Sequence, residues 1–192
     1  GDGGGGGGGG EARDGAAAAD GATDAPPVLD MLLTYCHCTL QDRSALRSVL
    51  PYARRHGIGA VNASPLAMAL LAPQGPPAWH PATSAIKRAC ADVRQHCAQH
   101  GVDVARLAMW YAVSSPTTRD AFDTTLVGMA SAAEVEANVR AALTPLSATE
   151  QRVLTHVERL LEPVRDQSWP SNGIGLCAST GETPQHTAAA DA

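Results

Sequence analysis

Val28-Leu29-Asp30-Met31-Leu32-Leu33-Thr34-Tyr35-Cys36-His37-Cys38-Thr39-Leu40 is an apolar run bounded in front by Ala25-Pro26-Pro27. It is too short for a typical helix, and its apolar residues are consecutive instead of alternating. It therefore reads as a strand buried on both faces. Asp42 or Ser44 can cap a helix in which Leu46, Val49, Leu50 and Tyr52 recur at helical spacing as far as the stop Arg54-Arg55-His56-Gly57. A second short apolar run, residues 57–63, feeds the turn-prone Ser64-Pro65-Leu66 and a long loop carrying Pro73, Pro76, Pro77 and Pro81. Thr83-Ser84 opens a helix that runs through His100 to Gly101, and Asp103 caps another with Leu107, Ala108, Trp110 and Tyr111 on its apolar side. Thr124-Thr125-Leu126-Val127-Gly128-Met129 is the third strand. Ser131 caps a helix bearing Val135, Val139 and Ala142, and Ser147 or Thr149 starts the last, with Val153, Leu154, Val157, Leu160 and Leu161.

Strands that alternate with helices predict βα units and a parallel sheet with both faces covered. Three strands do not close a barrel. A (β/α)8 barrel takes about 200–250 residues, so if these units belong to one they supply less than half of it. A stand-alone three-stranded α/β domain is the structural alternative.

Composition sets the outer bounds. Residues 1–27 hold 11 of the 19 glycines and no aromatic or large aliphatic residue, so they cannot bury enough apolar surface to offset the ordering entropy and are expected to be disordered. The Ser, Gly, Thr, Pro and Ala-rich tail, residues 171–192, is expected to be the same, which leaves one domain at 28–170. No apolar run approaches the ~20 residues of a membrane span, and the start has neither the basic nor the apolar region of a secretory signal. A cytoplasmic location is the expectation. Net charge is −5 without an Arg-rich stripe, which argues against nucleic acid as a partner. Five cysteines, an odd number without paired C-x-x-C spacing, read as reduced thiols and not as a disulfide or zinc framework.

Ligands of parallel α/β folds bind at the carboxyl ends of the strands, which singles out residues 35–39, 62–68 and 128–138. In the last segment Gly128 lets backbone approach a ligand, and Met129-Ala130-Ser131 presents free amides at a helix N-terminus, a setting suited to phosphate or to nothing more than a helix cap. Other constellations carry less. On a strand the side chains of Cys36 and Cys38 point away from that of His37, which favours buried thiols over a metal site. Cys90, His96, Cys97 and His100 share one helix, and no second helix offers matching ligands. Ser84-Ala85-Ile86-Lys87 matches Ser-x-x-Lys without the partner motifs of that hydrolase class. Trp79, Trp110 and Trp169 read as packing residues. No metal site is expected.

Several of these stretches together resemble the C-terminal part of the aldo/keto reductases, and most closely its plant-type L-galactose dehydrogenase branch. The resemblance covers residues 28–170. It is carried by Asp30-Met31-Leu32-Leu33-Thr34-Tyr35-Cys36-His37, by Asn62-Ala63-Ser64-Pro65-Leu66-Ala67-Met68-Ala69-Leu70-Leu71, by Gln74-Gly75-Pro76-Pro77-Ala78-Trp79-His80-Pro81, by Leu126-Val127-Gly128-Met129-Ala130-Ser131, and by Leu161-Glu162-Pro163-Val164 with Trp169-Pro170. It implies that the three strands are the sixth, seventh and eighth of a TIM barrel of which the chain is an incomplete part. It further implies an NAD(P) site in which Ser64 and Leu66 meet the pyrophosphate, Met68 also contacts the cofactor, and Val127, Gly128, Met129 and Ser131 cover the adenosine ribose. Asn138 would meet adenine, with Glu134 nearby in place of the family's usual Gln, and Ala137 stands where the family has Glu. Tyr35 lies near the nicotinamide position, and Ala63 replaces the aromatic ring that many members stack on it. The family's Asp, Tyr, Lys and His tetrad has no counterpart, because the only lysine, Lys87, lies on an outer helix. The resemblance thus implies the oxidation of L-galactose to its 1,4-lactone, in ascorbate biosynthesis, by a complete enzyme and no catalytic residue in this chain. A non-catalytic α/β fragment acting through protein contacts is the competing reading. With Glu134 and Glu136 the only charged residues from 127 to 138, NAD is the expected cofactor ahead of NADP, and a small sugar the expected substrate.

Overall fold

The computed structural model describes residues 29–169, so the expectations for 1–27 and 171–192 fall outside the described residues. Three strands, β1 (Met31–Tyr35), β2 (Gly59–Ala63) and β3 (Thr124–Leu126), form one parallel sheet in the order β1-β2-β3. Among the described residues six helices accompany them: α1 (Ala45–Ser48), α2 (Leu50–Arg55), α3 (Ser84–Gln99), α4 (Val104–Ser114), α5 (Ala132–Leu143) and α6 (Ala148–Leu161), with a 3-10 turn at Glu162–Val164. The caps sit where side-chain chemistry requires them. Thr83, Asp103, Ser131 and Ser147 each accept a backbone N–H from the first turn of α3, α4, α5 and α6, satisfying donors that a helix start leaves free. Of the two expected starts for α6, Ser147 is the cap, and Glu150 completes a capping box. Pro51 in the first turn of α2 splits the expected single helix after β1 into two.

Helix α3 packs on α6 and α4 on α5. The core lies among these helices and the loops after β1 and β2, with Leu40, Leu70, Leu71, Ile86, Val93, Leu107, Val157 and Leu161 almost fully buried. The segment after β1 is tied to residues 158–167: Gln41 Nε2 donates to the carbonyls of Val164 and Gln167 (2.7 and 2.8 Å), and Arg43 pairs with Glu158 at 2.7 Å.

The sheet corrects the expectation of strands buried on both faces. Cross-strand register places Leu33 and Tyr35 of β1 beside Val61 and Ala63 of β2, and these beside Thr124 and Leu126 of β3. That face is open. Tyr35 is 53% and Leu126 57% exposed, and only the short side chains of the central strand are shielded by their neighbours. The opposite face, with Thr34 and Asn62, is buried. The first strand also ends at Tyr35, because Cys36 turns into the left-handed region at φ 66° and residues 36–41 bend away. Cys36 and Cys38 are buried and unpaired as expected, but the bend puts them there, not strand alternation. Trp79 is exposed, against the expectation of packing, whereas Trp110 and Trp169 pack on the core.

β1 and β3 each have one strand neighbour and one apolar open face, a combination that favours association. The 192-residue chain should self-associate, and the double substitution Leu33→Lys, Leu126→Lys should shift it toward monomer in sedimentation velocity. A wild-type chain that is monomeric and melts cooperatively would contradict this.

Candidate functional site

The parallel register brings Tyr35, Ala63 and Leu126 into one row, so the segments after all three strands emerge at the same edge. Cys36 N–H donates to the Ala63 carbonyl at 3.0 Å and Ser64 N–H to that of Leu126 at 3.3 Å, which locks the row. Above it opens a cavity of about 470 Å³ lined by residues of all three segments, among them Tyr35, Ser64, Leu66, Met68, Val127 and Gly128. Six of the ten residues expected at the site therefore meet in one place. Met129, Ser131, Glu134 and Asn138 do not line it; they lie at the start of α5 and on its first turns.

The floor is strained backbone. Ser64 (φ 60°), Ala67 (50°), Met68 (54°) and Ala69 (71°) are all in the left-handed region, three of them in succession. For non-glycine residues that conformation costs roughly 1–2 kcal/mol each, and such strain clusters at functional sites. Its anchors are identifiable. Ser64 Oγ accepts the Met68 N–H at 3.1 Å, and Arg94 of α3 donates to the Leu70 carbonyl at 2.8 Å. His80 is buried; its Nε2 donates to the Ala67 carbonyl at 3.2 Å, while Nδ1 accepts the Ala82 N–H at 3.0 Å and Trp169 packs edge-on. Gly75, at φ 74°, is where glycine is needed: a Cβ there would stand 3.1 Å from the Arg94 guanidinium. The Gln74 to Pro81 stretch is thus the brace under the turn. Sequence reasoning misses His80 and Arg94 because each acts on a carbonyl 13 or 24 residues away, and nothing local marks such a bond.

The turn leaves donors unused. Among the described residues, no acceptor takes the N–H of Leu66, Ala69, Gly128 or Met129. Successive backbone N–H groups in left-handed turns form concavities that hold anions. Gly128 has open space where a Cβ would project, so it leaves room at the lip and relieves no backbone strain. One of the amides before α5, that of Ala130, is a correction. Ala130 N–H donates to the Glu134 carboxylate at 2.7 Å and Glu134 N–H to Ser131 Oγ at 3.2 Å, so the helix supplies its own anion where free donors are expected from the sequence. No Lys or Arg lines the cavity.

A family model described as the aldo/keto reductase family matches residues 19–159. The chain belongs to the aldo/keto reductase family. It is 42% identical over 148 residues to L-galactose dehydrogenase of Arabidopsis thaliana, covering 76% of this chain and 44% of that protein. To D-arabinose 1-dehydrogenase of Saccharomyces cerevisiae it is 33% identical over 87 residues, covering 45% of this chain and 26% of that one. Among solved structures, the glycerol dehydrogenase AKR11B4 from Gluconobacter oxydans superposes with a TM-score of 0.46 at 14% identity, over 77% of this chain and 47% of that one. The chain spans less than half the length of the relatives it matches.

Burial holds the His80 imidazole below its ordinary pKa of 6.5; the bond to Ala67 opposes this and Lys87 adds to it. Protonation would turn Nδ1 from acceptor to donor against the Ala82 N–H. The stability contributed by neutral His80 is complete above pH 6.5 and lost as pH falls through the lower folded value. Urea midpoints followed between about pH 8 and 5 should fall on acidification for wild type and less steeply for His80→Gln. Parallel falls would show that His80 is not the titrating brace.

Proposed function

We propose that this chain carries the pyrophosphate and adenosine half of a nicotinamide dinucleotide site in a sugar dehydrogenase acting on L-galactose. The reading rests above all on the strained turn at residues 64–69, which has unused N–H groups at Leu66 and Ala69 and lines a cavity at the carboxyl edge of a parallel sheet. The donor set fits a diphosphate, since Leu66 and Ala69 N–H and the Ser64 hydroxyl can serve its oxygens without a cation, and Tyr35 adds a ring to the lining of the same cavity. The bound dinucleotide would supply hydride chemistry; the residues here would hold and orient it.

The open sheet face supports a barrel assignment in the same way. If β1, β2 and β3 are the last three strands of a (β/α)8 barrel, the row Leu33, Val61, Tyr35, Ala63 and Leu126 faces the lumen and is covered once the other strands are present. The acid/base tyrosine and its partners would come from those strands. Purified alone, the 192-residue chain should bind ADP-ribose but should not turn over L-galactose with NAD. Turnover would refute the assignment of catalysis to other strands, and absence of ADP-ribose binding would refute the cofactor site.

Cofactor choice follows from charge. An adenosine 2′-phosphate near α5 meets the Glu134 carboxylate and no cation from 127 to 138. NAD should bind at least about tenfold tighter than NADP, which is ~1.4 kcal/mol, and Glu134→Arg should narrow the gap in calorimetric titrations. Equal or tighter binding of NADP that Arg140→Ala abolishes would place the ribose on the other side of α5.

A further inference from the structure

A second concavity lies between α3 and α6 and shares no residue with the first. Its volume is about 270 Å³, and His96 of α3 and His100 at its C-cap line it together with Thr149, Arg152, His156 and Arg159 of α6. His96 stacks on His156 with ring centroids 4.1 Å apart and lies 4.3 Å from His100. Arg159 donates to His156 Nδ1 at 3.1 Å, and His100 Nδ1 donates to the His96 carbonyl at 2.9 Å. Every ionisable group in the lining is cationic or becomes so on protonation.

No carboxylate compensates them. Among the described residues none stands within ion-pair distance of these five side chains. The nearest acids along α6 are used elsewhere, Glu150 on Arg106 and Glu158 on Arg43, and Asp92, one turn before His96 on α3, makes no ion pair with the cluster. Nor do the described residues contain a His, Cys, Asp and Glu grouping arranged to hold a metal ion. Two guanidiniums without a counter-ion repel one another, as the imidazoles do once protonated, and an anion accepting from Arg152, Arg159 and a protonated imidazole relieves this.

We propose that this concavity is a binding site for a small oxyanion of the sulfate or phosphate-monoester class. The concavity is smaller than the about 300–1,000 Å³ of pockets that take drug-sized ligands, which suits a small anion. A bound dianion favours imidazolium, so binding takes up protons and strengthens as pH falls through the histidine range. Burial, and then His156, His100 and Arg159, hold His96 below its ordinary value in the free protein, and the anion reverses the electrostatic part of that.

The full chain titrated with sodium sulfate, which stays dianionic at these pH values, should show saturable binding by calorimetry, with an upward shift of the His96 pKa in NMR titrations. Affinity should fall roughly tenfold for Arg152→Gln and again for Arg159→Gln, the size expected of one charge-assisted hydrogen bond each. Both residues are exposed, so the fold survives their loss. An Arg119→Gln control on another surface should change nothing. Titration with inorganic phosphate and with a hexose phosphate separates the free ion from a monoester. Binding that never saturates, that survives both substitutions, or that the control weakens equally would overturn the site. Stoichiometric zinc uptake at the histidines without sulfate binding would overturn it in favour of a metal centre.

Discussion

Three consecutive residues with side chains, Ala67, Met68 and Ala69, hold a left-handed turn that they cannot maintain by themselves. At roughly 1–2 kcal/mol per residue, the turn would relax unless surrounding structure over-determined it, and much of this fold does so. Leu70 and Leu71, immediately after it, are fully buried in the helical core and fix the exit of the turn. Ser64 fixes its entry, Arg94 reaches from α3, and His80 closes from below. The long proline-rich loop, which resembles a mere connection in the sequence, is therefore the support of the cavity floor. Core packing and site geometry are one system: α3 contributes Ile86, Cys90 and Val93 to the core and Arg94 to the turn.

The helices are legible because their signals are local. A Thr, Asp or Ser one residue before an apolar periodic stretch is both the cause and the mark of the cap, and Thr83, Asp103, Ser131 and Ser147 all act in that way. Strand burial is not legible. A continuous apolar run such as Met31-Leu32-Leu33 says that both faces suit burial, but whether both are covered depends on partners distant in sequence, and here one face is open. The run also conceals its own end, since nothing in Tyr35-Cys36-His37 announces a left-handed Cys36.

At the site, residue types are legible to the extent that a resemblance carries them. Tyr35, Ser64, Leu66, Met68, Val127 and Gly128 do share one cavity. The amides ahead of α5 show the limit of that reasoning. A helix N-terminus is an anion site only while its donors are free, and Glu134, four residues beyond Ala130, is close enough to occupy one of them. In the sequence the same glutamate stands out for its charge and not for its reach.

If the cavity, which no Lys or Arg lines, holds a diphosphate as proposed, it has to bind through backbone dipoles, and that would account for the strain and bracing there. A lysine can reorient toward a phosphate after folding, whereas an N–H points wherever its peptide plane is held. The left-handed turn sets the peptide planes that carry the Leu66 and Ala69 N–H groups, and His80 and Arg94 brace it through the Ala67 and Leu70 carbonyls. The cationic groups of the α3–α6 concavity follow the opposite logic, with long side chains around a site that the backbone does not shape. The first arrangement would give positional accuracy to the proposed dinucleotide, whose reacting end lies far from its phosphates. The second would give charge and pH sensitivity to a small anion that needs no orientation.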